Sequence, residues 1–355
     1  MAELIGAYVE ITGRCNAECP YCYNRALVPS ENELSASLLK DLFLQLKQNG
    51  LTTAVLSGGE PFLHADIADI LRDATDQGVS VLVISNGSCF SEKSLPILLR
   101  FQPNLQITFD GWDAESHDTT RGKGNFRLLT EGILRARKAG FHSGLSVRLN
   151  IHQDNAPHLE DMLHMLEWVS TRCVSKDSCI NDINLSLLHR TEDGDGRFHR
   201  YLPRTFFLQN DAFDDICSRW NESHITKITY DKSVDFGCAY NGETERVNCS
   251  FRIAPDGGVY PCQLFTDPRY CLGNIHRDSL RDILRGDRLS AFTKQVKSRT
   301  KRIPQCRSCG YQGFCFGGCP ATALIDNGSM DSVSDICRFR KSALNDVFSK
   351  MMKKG

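Results

Sequence analysis

The sequence predicts an α/β fold, an open partial (β/α)6 barrel followed by a smaller cysteine-rich domain. Three observations carry that expectation. Short apolar runs alternate with amphipathic stretches over residues 5–230, the pattern of a parallel sheet with crossover helices. Gly50, Gly78 and Gly140 fall where the helices should stop, as suits glycine's ease with left-handed backbone. Beyond residue 235 the texture changes, and nine of the sixteen cysteines lie between Cys238 and Cys337 among many glycines.

Strands are expected near 5–12, 52–57, 79–85, 104–109, 144–150 and 182–188. Helices are expected near 35–49, 64–77, 91–101, 126–139, 155–170 and 205–221, with a long polar loop at 189–204. Six repeats are too few to close an eight-stranded barrel, so the barrel is open. An open doubly wound sheet is the alternative. The domain boundary is set at 1–232 and 233–355. The second domain buries little apolar surface in regular elements, so its fold should depend on bound metal.

At 41% hydrophobic residues and a formal net charge of −1, the chain has core enough for a globular fold and no basic footprint for nucleic acid or an anionic membrane. No apolar run reaches the length of a membrane span. The first residues, Met1-Ala2-Glu3-Leu4-Ile5, lack the features of a signal peptide. A cytoplasmic location is therefore expected. In that reducing compartment sixteen cysteines argue for metal or cluster ligation over disulfides.

Cys15, Cys19 and Cys22 read Cys-x3-Cys-x2-Cys directly after the first strand. Three thiolates in one short loop suit three corners of a four-iron, four-sulfur cube, leaving one iron open. A structural zinc would want a fourth ligand nearby. By spacing alone zinc or plain thiols stay as alternatives. With Tyr21 before the last cysteine, the motif resembles the signature of the radical S-adenosylmethionine (SAM) family. That resemblance implies SAM chelated to the open iron, reductive cleavage to a 5′-deoxyadenosyl radical, and Tyr21 against the adenine.

The rest of the barrel carries matching strings. Ser57-Gly58-Gly59-Glu60-Pro61 follows the second strand and resembles the family's GGEP motif, which implies contact with the SAM amino group. Asn86-Gly87 ends the third strand, where the resemblance implies a polar cofactor contact and a plain turn is an equal reading. Thr108-Phe109-Asp110-Gly111, His117-Asp118 and Arg121-Gly122 resemble the pattern of the subfamily with a cysteine-rich tail. Thr108 and Asp110 then belong to the cofactor shell. Arg121 would suit the SAM carboxylate, since guanidinium pairs with carboxylate bidentately, and Asn150 the ribose. Most of these residues lie at strand C-terminal ends, where barrels build their sites. His142, His152, His158 and His164 show no ligand pattern and are expected on helix surfaces or satisfied in the core.

Downstream, Cys249, Gly257-x4-Cys262, Cys306-x2-Cys309-x5-Cys315-x3-Cys319 and Cys337 resemble the SPASM domain. The gap from Cys249 to Gly257 is shorter than the family's. The resemblance implies an outer cluster on Cys306, Cys309, Cys315 and Cys337. It implies an inner cluster on Cys249, Cys262 and Cys319, with Cys238 as fourth ligand, Cys271 as the other candidate, or an open iron. In all, three [4Fe-4S] clusters are expected. Cys89, Cys173, Cys179 and Cys217 are left as buried thiols.

The family implies an oxidoreductase or maturase that modifies a peptide or protein, by crosslinking or oxidation in a ribosomally made peptide. Sulfatase-type Ser/Cys oxidation is an alternative. It wants an acidic residue directly after the Gly-x4-Cys cysteine, where this chain has Gln263. Haem-precursor or small-molecule modification is another alternative. A non-catalytic iron–sulfur or zinc protein is the alternative of a different class. With the first strand at 5–12, no leader-peptide-binding domain is expected ahead of it, so a peptide substrate would need either a separate leader-binding protein or direct binding by the barrel mouth. An external electron donor, flavodoxin or ferredoxin, completes the expected partners, with no nucleic acid and no membrane.

Overall fold

A computed structural model describes residues 2–22, 24, 31–173, 179–188, 198–224, 226–230, 238–240, 247–334 and 336–352. The chain divides into two compact units. The larger comprises Ala7–Asp231 with Ile253–Gly257. The smaller comprises Met1–Gly6, Lys232–Arg252 and Gly258–Gly355.

Seven strands of the larger unit run in chain order. They are β1 (Ala2–Thr12, in this unit from Ala7), β2 (Thr53–Gly58), β3 (Ser80–Ser85), β4 (Asn104–Phe109), β5 (Leu145–Ile151), β6 (Asp182–Leu187) and β7 (Lys227–Tyr230). Each is parallel to the next. A doubly wound sheet reverses its strand order at a switch point. This one never does, so the winding is that of a barrel and the doubly wound alternative falls. β7 was not expected. Its four residues bury only Ile228, too little apolar patterning to read as a strand.

The strands are apolar because both faces are covered, and Val83, Ile107, Phe109, Val147, Leu149 and Ile183 are all buried. The helices bury one stripe each. In Ala36–Gln48 it is Leu39, Leu42, Phe43 and Leu46, and the Ser35 side chain caps the N-terminus. Gly50, Gly78 and Gly140 take positive φ just past three helices, as their sequence positions require.

Within the larger unit, the helix Ala114–Arg121 was not expected. It buries only His117 and Thr120, so it has no apolar stripe to read, and an Asp113–Ser116 capping box sets its start. Of the loop expected at 189–204, residues 189–197 lie outside the described residues. Residues 198–204 form neither helix nor strand.

In the smaller unit β8 (Val247–Ile253), β9 (Gly258–Tyr260) and β10 (Gly273–Asn274) lie side by side, with β9 and β10 antiparallel. Short helices follow. Gly286, in extended backbone, separates the helices Leu280–Arg285 and Asp287–Lys297. Phe292 packs against Phe265 and Tyr240, with ring centroids 5.2 and 5.0 Å apart. Among the described residues no helix is long and apolar enough to cross a membrane.

Candidate functional site

The cysteine loop leaves β1 at Thr12 and is held from below by β2. Gly59 N–H donates to Thr12 O (2.7 Å) and Glu60 N–H to Arg14 O (2.7 Å). A Cβ at Gly58 would lie 2.4 Å from Thr12 O, and one at Gly59 2.1 Å from Arg14 O. Only glycine admits that approach. The two glycines therefore seat the backbone that leads into Cys15.

Glu60 is fully buried. Its Oε1 accepts from Ser85 Oγ (3.0 Å) and Phe62 N–H (3.1 Å), and its Oε2 from Asn86 N–H (2.7 Å). Burial pushes its carboxyl up to about 7 against these three donors. Asn86 Nδ2 in turn donates to Asn16 Oδ1 (2.8 Å), inside the cysteine loop. Pro61 starts the short 3-10 turn Pro61–Leu63. The Glu60 carboxylate thus faces the protein's own donors and ties the ends of β2 and β3 together.

Across the barrel mouth, Asp110 gathers the other expected residues. Arg121 Nε donates to its Oδ2 (2.7 Å), as does Thr120 Oγ1 (2.9 Å). Asn150 Nδ2 donates to Oδ1 (3.1 Å), and Tyr21 OH donates to Oδ2. The Arg121 guanidinium also lies over the Tyr21 ring, 5.5 Å from its centroid. Burial alone would raise the Asp110 carboxyl, but Arg121 beside it holds it at about 2. Thr108 is buried on β4 in register with Arg148 of β5. The structure therefore brings Tyr21, Asp110, Arg121 and Asn150 together, with Thr120 as a member the sequence did not single out.

Beside this network lies a cavity of about 540 Å³, lined by Pro20, Trp112, Asp113, Glu115, His152 and Arg200 among others. His152 corrects the expectation of a surface or satisfied histidine. It is buried, and its Nε2 has no partner among the described residues. Nδ1 accepts from Asp154 N–H (3.3 Å), which puts the ring proton on Nε2. Burial pushes its pKa down, so the ring is a neutral donor. The available signal was its place directly after Ile151, the last residue of β5.

The thiols fall into sets. Cys15, Cys19 and Cys22 act on one another electrostatically, and burial pushes Cys15 up to about 11. Cys306, Cys309, Cys315 and Cys337 line one small cavity with Arg340, and the field of the other three bears on Cys306. Cys262 and Cys238 are both pushed up to about 12 by burial, and Cys319 acts on each. Cys249 is coupled to the Tyr240 hydroxyl, which also feels Cys238 and Cys262. Cys271 instead directs its thiol to Gly273 O (3.2 Å).

Buried thiols with raised pKa values need a cation to become thiolates. Iron supplies it, so the donor sets fit iron–sulfur clusters. Among the described residues no three candidate side chains converge tightly enough for a single metal ion. A cube presents a different iron to each thiol and does not require such convergence. Cys89 and Cys217 are buried thiols, as expected. Cys179 is buried as expected, whereas Cys173 is only half-buried, and their Cα atoms lie 6.0 Å apart.

Residues 9–166 match the radical SAM superfamily, and residues 245–310 match SPASM, an iron–sulfur cluster-binding domain. The chain therefore carries a radical SAM domain followed by a SPASM domain, and it is an enzyme with SAM and iron–sulfur clusters as its cofactors. This radical SAM protein is 26% identical over 349 residues to the antilisterial bacteriocin subtilosin biosynthesis protein AlbA of Bacillus subtilis (strain 168), covering 96% of this chain and 72% of AlbA. It is 24% identical over 342 residues to the mycofactocin maturase MftC of Mycolicibacterium smegmatis, covering 92% and 81%. Among solved structures, Streptococcus suis SuiB bound to S-adenosylmethionine has the same fold. The TM-score is 0.76 at 15% identity, over 94% of this chain and 77% of SuiB.

Proposed function

We propose that this radical SAM/SPASM enzyme modifies a ribosomally made peptide, with residues 1–232 as the radical SAM barrel and 233–355 as the auxiliary-cluster domain. The observation that carries the reading is the cysteine loop seated on Gly58-Gly59 beside the Asp110–Arg121 network, with two further thiol sets in the smaller unit. Relatives named for bacteriocin biosynthesis and mycofactocin maturation support the substrate class.

Cys15, Cys19 and Cys22 would hold the first [4Fe-4S] cluster. Cys306, Cys309, Cys315 and Cys337 would hold the second. Cys238, Cys249, Cys262 and Cys319 would hold the third. Bound at the first, SAM would supply radical hydrogen-abstraction chemistry, with one electron from the external donor needed for its reductive cleavage. Tyr21, Gly58, Gly59, Glu60, Pro61, Asn86, Thr108, Asp110, Arg121 and Asn150 would form the shell around it. Asp110 keeps Arg121 charged and aimed, and Glu60 keeps the strand ends in register. The thiol density supports a reducing, cytoplasmic setting. The partners in this reading are an external flavodoxin or ferredoxin and a separate leader-binding protein.

The test is anaerobic turnover with SAM, reductant and a synthetic peptide encoded beside the gene, read by mass spectrometry. Loss of two hydrogens from the peptide, in step with 5′-deoxyadenosine, is the expected outcome. Nucleoside formation with unchanged peptides, accelerated instead by a small molecule, would remove the peptide assignment.

A further inference from the structure

Arg299 is fully buried. All three of its nitrogens are spent on neutral backbone carbonyls: Nε on Met330 O (2.6 Å), Nη1 on Gly318 O (2.8 Å) and Nη2 on Ser332 O (3.2 Å). Among the described residues it forms no salt bridge. The nearest acid in sequence to those carbonyls, Asp331, is engaged by Arg302 through two bonds of 2.6 and 2.8 Å. A buried guanidinium without an anion is costly. Carbonyls satisfy its donors but leave its charge uncompensated.

Burial pushes Arg299 down, and Cys319 and Cys238, then Asp331 and Cys306, oppose that shift where they are ionised. Cys319 and Cys238 belong to one thiol set, and Cys306 belongs to the other. The contact with Gly318 has the same double reach. Gly318 lies in the link between Cys315 of the outer set and Cys319 of the inner, and Gly317 and Gly318 both take positive φ there. The link can turn so sharply because both residues are glycine, and Arg299 pins its carbonyl.

We propose that Arg299 is the buried counter-cation shared by both auxiliary thiol sets, and that its charge holds the reduction potentials of both clusters up together. This rests on the reading that each set binds a cluster. Thiolate-ligated clusters are anionic, and reduction adds a further negative charge. Net charge, hydrogen bonding and exposure set their potentials. A fixed cation in a water-excluded site favours the reduced form of each. Arg299 touches neither substrate nor SAM, so it is a positioning and electrostatic residue.

The experiment uses the full chain with Cys15, Cys19 and Cys22 changed to Ala, which isolates the auxiliary sets. The protein is reconstituted anaerobically, its iron is counted, and its potentials are followed by a redox titration monitored by electron paramagnetic resonance. Arg299→Gln removes the charge and Arg299→Lys keeps it. The expected result is that both midpoints move to more negative potential in Arg299→Gln and stay near the parent's in Arg299→Lys. Loss of iron from Arg299→Gln but not from Arg299→Lys likewise supports the charge. Unchanged potentials in Arg299→Gln, movement of one cluster only, or equal loss of iron from both variants overturns the proposal and leaves a carbonyl-bracing role. A parent without iron in either set overturns the cluster reading itself, and the inference with it.

Discussion

Arg121 Nε lies 2.7 Å from Asp110 Oδ2, and both side chains are almost wholly withdrawn from water, at 11% and 0% exposure. Ten residues and a capped helix separate them in sequence, and that helix exists to deliver Arg121 and Thr120 to one carboxylate. Removing one partner of a buried pair strands the other charge. Asp110→Asn is therefore expected to cost about 3–5 kcal/mol of unfolding free energy at neutral pH, read by anaerobic urea denaturation. A loss no larger than that of an exposed pair would contradict this account of the site.

The pH dependence of that pair follows from the carboxyl. Asp110 sits at about 2 in the folded chain against an ordinary 3.8. Its stabilisation is present in full above the ordinary carboxylate range and is lost as pH falls through both values. In Asp110→Asn, the acid limb of the stability curve should flatten between those two values.

Glu60 has the opposite sign. Its folded pKa of about 7 exceeds the ordinary 4.5, so between the two the native state binds the extra proton and stability falls as pH rises. A shift of that size corresponds to roughly 3 kcal/mol. Chemical denaturation should show the parent losing stability from about pH 5 to about pH 8, with that slope reduced in Glu60→Gln. Equal slopes in both proteins would mean that Glu60 is ionised throughout.

Gly59→Ala tests the seat of the cysteine loop. A methyl 2.1 Å from Arg14 O must displace backbone, and the displaced residue is next to Cys15. Iron and sulfide per chain after reconstitution should fall by one cluster's worth, with the auxiliary sets retained. Full iron content would show that the loop tolerates the shift.

The fourth ligand of the inner set is a direct comparison. Cys238 shares the field of Cys262 and Cys319, whereas Cys271 turns to Gly273 O. Cys238→Ser should lose iron or alter the inner cluster's spectrum, and Cys271→Ser should match the parent. The reverse result would reassign the ligand.

Much of the fold and of the thiol chemistry was legible in the sequence because it is local. Six strands announced themselves as buried apolar runs and three helix ends as glycines, while the grouping of the thiols came from the family resemblance. What was missed is what depends on partners far along the chain. Helix 114–121 is polar, and its reason to exist is Asp110, which no periodicity reveals. β7 has one buried side chain and is a strand because β6 offers it an edge. Gly58 and Gly59 were read as a cofactor contact, and their close approach to the backbone at Thr12 and Arg14 was not read at all. His152 looked ordinary because its environment is built from β5 and the chain around Phe198.

The most direct measurement of the central claim is SAM cleavage by the anaerobically reconstituted protein, with 5′-deoxyadenosine assayed after addition of reductant. The comparison is the variant in which Cys15, Cys19 and Cys22 are all alanine. The account predicts nucleoside from the parent alone, with the variant holding one cluster's iron fewer than the parent. Bound zinc with no nucleoside, or equal nucleoside from both proteins, would contradict it.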